Sequence, residues 1–448
     1  MPEKRELLLK DKYTVFVRPD SQIANILRVM SVSGEIATHS FKLFGVGGEN
    51  EDYVQYGRVK RLLLSNVIYK DVNKKDLYDS GEEMDVKKAA LFSVRSCGQT
   101  KTIRVKTKSR CLFVPLGLGE RFDELFKDGN LAGDPPTIKR NIKLSDWCIF
   151  CQRAGIQFNP VFTPKVYNLG TGTKESLGPK ENGPREVKER IFYPSREIRR
   201  RDEKAKKYGM GSRVVGVFVS PEGMELCHWI PPHRATWTLS EELSFEGYLK
   251  NYFGPHNFGF PFDPTLKYDL LCIAESYELS EQVIFKPSFE KGDNLKKIKL
   301  TDSTVFKDLY KDIYVFPRNE NGIRQFKFHI IPNLKETLLD FYIRNPQAVA
   351  DASSCTFQCD AYDKSKNIAT VFFYDGCVTK LQSCLVGKST DYARGENAVK
   401  LRIYCFPWQT QYVKDKFAGI KGVTIIDDDY EKVYGIISRR AQKGDGAK

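Results

Sequence analysis

The chain contains no run of apolar residues approaching the ~18 that a membrane-spanning helix needs, so any membrane contact is expected to be peripheral. Its first ten residues, MPEKRELLLK, set charges around a short apolar stretch, too short for the hydrophobic region of a secretory signal. Histidine is scarce, with five in 448 residues, which leaves few imidazoles for metal binding or proton shuttling. No G-x-S-x-G nucleophile elbow and no H-E-x-x-H helix occurs. The glycine-rich phosphate loops are incomplete. Val386-Gly387-Lys388-Ser389-Thr390 ends like a P-loop, but Gln382 stands where its first glycine belongs. Phe44-Gly45-Val46-Gly47 lacks its third glycine at Asn50, and Gly117-Leu118-Gly119 lacks one at Phe122. A regular cysteine framework is missing too. Eleven cysteines, an odd number, lie scattered along a chain long enough to fold without staples, which points to free thiols in a reducing, cytoplasmic setting.

What is present is positive charge and aromatic bulk. Lys and Arg number 71 against 57 Asp and Glu, a net charge of +14 that would attract polyanions such as RNA or acidic lipid. The 29 Phe and 22 Tyr supply large apolar areas for burial and, with the β-branched residues, favour strands. The expected fold class is α+β, mostly antiparallel β: two β-rich, sandwich-like blocks with a few attached helices. Residues 1–168 form the first block, 169–212 a basic linker or helix, and 213–448 a second block of α+β type.

The local patterns support this layout. Tyr13–Val17, Ser40–Val46 and Thr100–Thr107 are predicted strands, the last with Ile103 and Val105 on one face and Thr102 and Arg104 toward water. Helices are expected near Glu120–Lys127 and from Ser145 to Gly155. In the second block, Arg213–Val219 and Met224–Ile230 flank Ser-Pro-Glu-Gly and predict a hairpin. Thr238–Phe253 predicts a helix, with Thr238 and Glu241 as a capping box. Strands are expected at Tyr268–Ala274, and at Ile313–Phe316 paired with Arg324–Ile331. A helix should follow from Asn333, and further strands at Thr356–Ala361, Ala369–Tyr374 and Val399–Cys405. Strands in runs argue for antiparallel sheets rather than βαβ repetition.

Five residue groups bear on function. Between Arg185 and Lys207 stand ten basic and five acidic residues, a net +5. Arg196, Arg199, Arg200, Arg201, Lys204, Lys206 and Lys207 are the candidate nucleic-acid or anionic-surface contacts, since guanidinium forks match phosphates. The stretch around Cys227, His228, His233 and His256 gathers most of the histidines. It is the candidate centre of a zinc-dependent or His-dependent enzyme acting on nucleic acid or a phosphorylated substrate. Cys148-Ile149-Phe150-Cys151 has a CxxC spacing without a second ligand pair, and Cys355, Cys359, Cys377 and Cys384 fall among expected strands. Both sets are taken as core thiols rather than zinc ligands. Asp427-Asp428-Asp429 offers carboxylates for magnesium or for the start of a C-terminal helix. No motif calls for a cofactor or a metal.

The leading expectation is a non-catalytic structural or assembly protein that binds a polyanion and self-associates. Viral matrix and capsid-associated components offer the fold-level analogy, with the virion as an alternative location to the cytoplasm. The enzyme centred on the histidine stretch is the competing expectation.

Overall fold

The structure is a computed structural model that describes residues 14–16, 22–45, 68–70, 92–126, 131–158, 167–168, 173–174, 189–201, 212–231, 239–252, 267–285, 309–391 and 398–445. The chain divides into two compact units, Met1–Phe162 with Ile191–Pro194, and Thr163–Arg190 with Ser195–Lys448.

In the first unit, helix α1 (Gln22–Ser33) and strand β1 (Glu35–Ala37) precede the hairpin of β2 (Phe92–Cys97) and β3 (Thr100–Val105). The sheet order is β1-β3-β2, antiparallel throughout. After a short helix α2 (Gly119–Glu124) comes the twenty-residue α3 (Pro135–Ala154). Asp134 starts α3 by accepting the Thr137 N–H at 3.0 Å, two prolines fill its first turn, and Gly155 ends it at φ +74°. The helix was expected to begin only at Ser145. Its first turns are mostly charged and polar, so their apolar spacing is faint and Asp134 is the sole clear start signal. Trp147, Cys148, Ile149, Phe150 and Cys151 are all fully buried, an all-round burial that marks a central helix. The expected strand at Ser40–Val46 is instead a 3-10 helix, Thr38–Phe44. Thr102, expected to face water, is buried and donates to Glu35 at 2.5 Å.

The second unit repeats one arrangement. Strands β4 (Gly216–Ser220) and β5 (Gly223–Trp229) form the expected hairpin. Helix α5 (Leu239–Tyr252) leads to β6 (Tyr268–Ala274), and α6 (Tyr277–Ile284) precedes β7 (Tyr310–Pro317). Within the unit these strands run β7-β6-β5-β4, with β5, β6 and β7 parallel. Helices α7 (Glu320–His329) and α8 (Leu334–Tyr342) follow. The pattern then recurs: hairpin β8 (Ala361–Asp363) and β9 (Ile368–Phe372), helix α9 (Val378–Asp391), β10 (Lys400–Cys405), helix α10 (Pro407–Lys416), β11 (Val423–Asp427) and α11 (Tyr430–Asp445). Its order is β8-β9-β10-β11, with β9, β10 and β11 parallel.

The expectation of a mostly antiparallel, sandwich-like β protein is therefore corrected. Of the described residues, 52% are helical and 25% lie in strands, in mixed, open sheets. The strands of the parallel runs were largely found; of their crossover helices, α5 was expected over Thr238–Phe253, whereas α6, α9 and α10 were not. Arg324–Ile331, expected as a strand because Phe326, Phe328 and Ile330 alternate, lies in and just after α7. Asn319 there accepts the Gly322 N–H at 3.0 Å and caps the helix, so the Asn-Gly pair is a helix start and not a hairpin loop. Thr356–Ala361 is irregular until its last residue. The β-rich layout behind the analogy to viral matrix and capsid-associated proteins is absent, and the analogy loses that support. No helix among the described residues is long and apolar enough to cross a membrane.

The two sheets of the second unit join at the outer side of β7. The Val315 N–H bonds the Gly376 carbonyl at 3.1 Å, and the Ile313 N–H bonds the Thr379 hydroxyl at 3.1 Å. Gly376 has φ +76°, and a Cβ there would collide with the Gln325 amide and press on the Val315 carbonyl at 2.7 Å. Only glycine fits both constraints. Gly376→Ala should lower unfolding stability by about 2–4 kcal/mol, measured by urea denaturation. Gly419→Ala, also at positive φ (+78°) but with nothing within 4 Å of its added Cβ, should cost about 1 kcal/mol.

Candidate functional site

The basic stretch begins in α4 (Ser195–Arg201), where the Ser195 hydroxyl bonds the Val214 carbonyl at 2.7 Å. Arg196 is buried at 7% exposure. Arg199 donates to the carbonyls of Ser212 and Val214, at 3.3 Å each, and its guanidinium lies 4.8 Å from the Phe245 ring centre. Both arginines are engaged inside the fold. The side chains of Arg200 and Arg201, and the whole of Lys204, Lys206 and Lys207, lie outside the described residues.

The histidine stretch is not brought together as a cluster. Cys227 and His228 are successive residues of β5, so their side chains leave opposite faces of the sheet. His228 is fully buried, 3.9 Å from Glu242, which also accepts from the Arg213 N–H at 2.6 Å and the Ser212 hydroxyl at 2.9 Å. Burial lifts Glu242 to about 7 against those donors. His233 and His256 lie outside the described residues. Among the described residues, no three His, Cys, Asp or Glu side chains are placed to hold a metal ion. Cys148 and Cys151 are buried thiols. Of the three successive aspartates, Asp428 accepts from the Tyr342 and Tyr374 hydroxyls, and Asp429 caps α11 through the Lys432 N–H at 2.9 Å. Gly387 and Lys388, the ends of the P-loop-like run, sit within α9, where the Lys388 ammonium bonds the Val399 carbonyl.

The chemistry gathers elsewhere, in a cavity of about 480 Å³ within the second unit. Asp269 near the start of β6 and Asp312 near the start of β7 line it, with Tyr314 beside them. His329, the last residue of α7, contributes an imidazole; α8 adds Lys335 and Glu336; and the turn after β9, running into α9, supplies Asp375 and Lys380. Six carboxylates (Glu222, Asp269, Asp312, Glu336, Asp360 and Asp375) face three lysines and one histidine.

Their protonation states are driven apart by their surroundings. Burial and the neighbouring Asp312 carboxylate raise Asp269 to about 6. Asp269 also accepts the Asp312 N–H at 3.2 Å. Asp375 is raised by burial against the pull of Lys380. For Lys380, burial opposes the ammonium, but Asp360 and Asp375 outweigh it and hold the group protonated. The Lys380–Asp360 pair is close, 3.0 Å and 3.2 Å to the two oxygens, and Asp360 further accepts the Phe372 N–H at 2.7 Å. Behind His329 stands Glu225, 3.1 Å away, which Arg190 approaches to 2.9 Å. Burial resists charge on Glu225, yet Arg190 and His329 bring it down to about 2. His329 is thus a half-buried residue at the end of a helix, not part of the strand expected over Arg324–Ile331.

None of these residues was expected to line a site. Their signal was an acid set within an apolar strand, as in Tyr268-Asp269-Leu270 and Lys311-Asp312-Ile313, where alternation alone would have accepted any polar group.

Two outcomes test this electrostatic account. Asp360 is 3% exposed, so Lys380→Met strands its carboxylate and should cost about 3–5 kcal/mol in urea unfolding. Adding Asp360→Asn should recover much of that loss. Asp269 ordinarily titrates near 3.8 and here near 6. Between those values the folded chain keeps a proton that the unfolded chain has released, so stability falls as pH rises through that window. Asp269→Asn should therefore be more stable than the parent at pH 8 by about 1–3 kcal/mol. The advantage should shrink as the pH is lowered toward 4. Compared with known proteins, the chain matches no protein-family model, no curated protein sequence and no solved structure.

Proposed function

We propose that the second unit is an enzyme of the general acid–base class that acts on a cationic, amine-bearing small molecule. The observation that carries this reading is Asp269: a carboxyl group raised to about 6 that lines a cavity of about 480 Å³ rich in carboxylates. Cavities of roughly 300–1,000 Å³ suit small ligands, and a carboxyl titrating near neutrality can both take and return a proton.

Charge selects the ligand class. Lys380 is committed to Asp360, which leaves Asp312, Asp375, Glu222 and Glu336 to outnumber Lys311 and Lys335. An ammonium group would be anchored by the ionised carboxylates. The proton moved by Asp269 would belong to a neighbouring group of the same ligand. His329, tied to Glu225, stiffens one wall. The polyanion-binding reading keeps as its support the net charge of +14 and the basic residues Arg200, Arg201, Lys204, Lys206 and Lys207, since Arg196 and Arg199 are engaged within the chain.

Thermal unfolding and calorimetry with n-butylamine, putrescine and inorganic phosphate test the choice. The amines should bind saturably, more tightly at pH 8 than at pH 5 as Asp269 ionises. Asp269→Asn should flatten that pH dependence, and Asp312→Asn should weaken binding at both pH values by about tenfold, near 1.4 kcal/mol. Preference for phosphate over the amines would overturn the proposal and favour the polyanion reading.

A further inference from the structure

His329 is the last residue of α7, and its ring lines the cavity. Two kinds of contact hold that ring in place. Tyr314 and Phe316 of β7 pack against it, with ring centres 4.4 Å and 5.5 Å away. The Nε2 nitrogen meets the Glu225 carboxylate of β5 at 3.1 Å, and Glu225 in turn meets the Arg190 guanidinium at 2.9 Å. The three side chains are 8%, 14% and 19% exposed, so solvent screens this line of groups only weakly.

The line decides which ring nitrogen carries the proton. Burial opposes charge on Glu225, but Arg190 and His329 keep it ionised. An ionised carboxylate accepts hydrogen bonds and has none to donate. Nε2 is therefore the donor, and in the neutral ring the lone pair stands at Nδ1. Among the described residues Nδ1 meets no hydrogen-bonding partner, which leaves it to the cavity. Other groups on the wall are already engaged. Lys380 is held by Asp360. Cys359, expected with Cys355 as a core thiol but only half-buried, turns its thiol to the Ala352 carbonyl at 3.8 Å.

We propose that His329 is a second proton carrier of the cavity, with Glu225 and Arg190 as its positioning residues. The role rests on the acid–base reading of the cavity and gives Asp269 a counterpart: the ligand's reaction both gives up a proton and takes one back. In the neutral state Nδ1 accepts a proton from a ligand N–H, O–H or C–H bond. The new bond forms at Nδ1, the electron pair of the broken bond stays on the ligand, and Nε2 keeps its own proton. The ring then carries one positive charge, which Glu225 meets without being protonated itself. Return of the proton from Nδ1 to the ligand restores the ring. The titratable groups that face it are Glu225 from β5, Asp269 from β6, Tyr314 from β7 and Asp375 from the turn after β9. Of these, Glu225 is the one in hydrogen-bond contact with the ring.

The full chain, its histidines labelled with nitrogen-15, is read by NMR at pH 8, the His329 signals being those lost in His329→Gln. The neutral ring should be mainly the Nε2–H tautomer. The same chain is treated with diethyl pyrocarbonate, which acylates unprotonated imidazole nitrogen, and digested with trypsin. His329 falls in the peptide Phe328–Lys335, which holds no other histidine. That peptide should gain one carbethoxy group, several-fold more slowly when putrescine is present. Glu225→Gln should slow the modification about tenfold, since the carboxylate behind the ring makes Nδ1 more basic. Arg190→Lys keeps a charge behind Glu225 and should retain most of the wild-type rate. The tautomer of the wild-type ring checks the same claim even if Glu225→Gln does not fold. A main tautomer of Nδ1–H, or an unmodified Phe328–Lys335 peptide, would overturn the proposal. Saturable amine binding beside an unreactive His329 removes this role alone. A reactive His329 that no amine protects removes the amine ligand and leaves the relay standing.

Discussion

Tyr277, Gln325 and Gln409 satisfy one another where water has no access, and the architecture of the second unit depends on that closure. Gln325 and Gln409 are fully buried and Tyr277 nearly so. The Gln409 amide donates to the Tyr277 hydroxyl and to the Phe373 carbonyl, both at 3.0 Å. The Gln325 amide donates to the carbonyls of Val315 at 2.8 Å and Asp375 at 3.1 Å, and the Tyr277 hydroxyl donates to Gln325. Three helices, α6, α7 and α10, each send one member, and the carbonyls they meet belong to β7 and to the turn after β9. A buried polar network of this kind stabilises only when complete. Its geometry fixes how the first sheet meets the second, and so where Asp269 and Asp312 stand relative to Asp375 and Lys380.

Around that frame, identical functional groups take different states. Glu225 and Asp269 are both carboxyls near the starts of neighbouring strands, yet one is held near 2 and the other near 6. Burial acts on both in the same sense. The difference lies in the partner: Arg190 and His329 beside Glu225, a second carboxylate beside Asp269. Divergence of this sort, between groups facing one region, is how proteins assign acid and base roles. Glu242, raised to about 7 beside fully buried His228, is a comparable case outside the cavity, but it is closed in by the Arg213 N–H and Ser212.

Much of the strand set was legible in the sequence, because alternation in Lys400–Cys405 and the apolar runs of Gly216–Trp229 and Tyr268–Ala274 survive in the structure. Pairing direction was not legible. It depends on the crossover elements, and α6, α9 and α10 went unrecognised as helices. α9 carries β-branched residues and a glycine, and α10 opens on Pro407 and Trp408. Each is stabilised by packing that its own residues do not announce. In α7, Phe326 and Phe328 suited a period of two as well as they suited a helix whose buried residues are Ile323, Gln325, Phe326 and Phe328. The cavity was invisible for a related reason: its residues come from seven separate segments, each holding one to three polar groups that no local motif distinguishes. The basic stretch, by contrast, was conspicuous, yet Arg196 and Arg199 turn inward where a charge count suggested they would turn out.

The bond from the Val315 N–H to the Gly376 carbonyl also orders events in time. As the chain leaves the ribosome, β7 can align with β6 at once, but the partner for its other side is translated only after α7, α8 and β9. Until then β7 exposes an unpaired row of peptide groups, the state in which nascent strands join the wrong neighbour. Parallel pairing already slows assembly, because every ladder must wait for a distant segment. Completion of the first sheet is thus coupled to synthesis of the second, and a chain released early, before Gly376, would carry an open edge with nothing of its own to cover it.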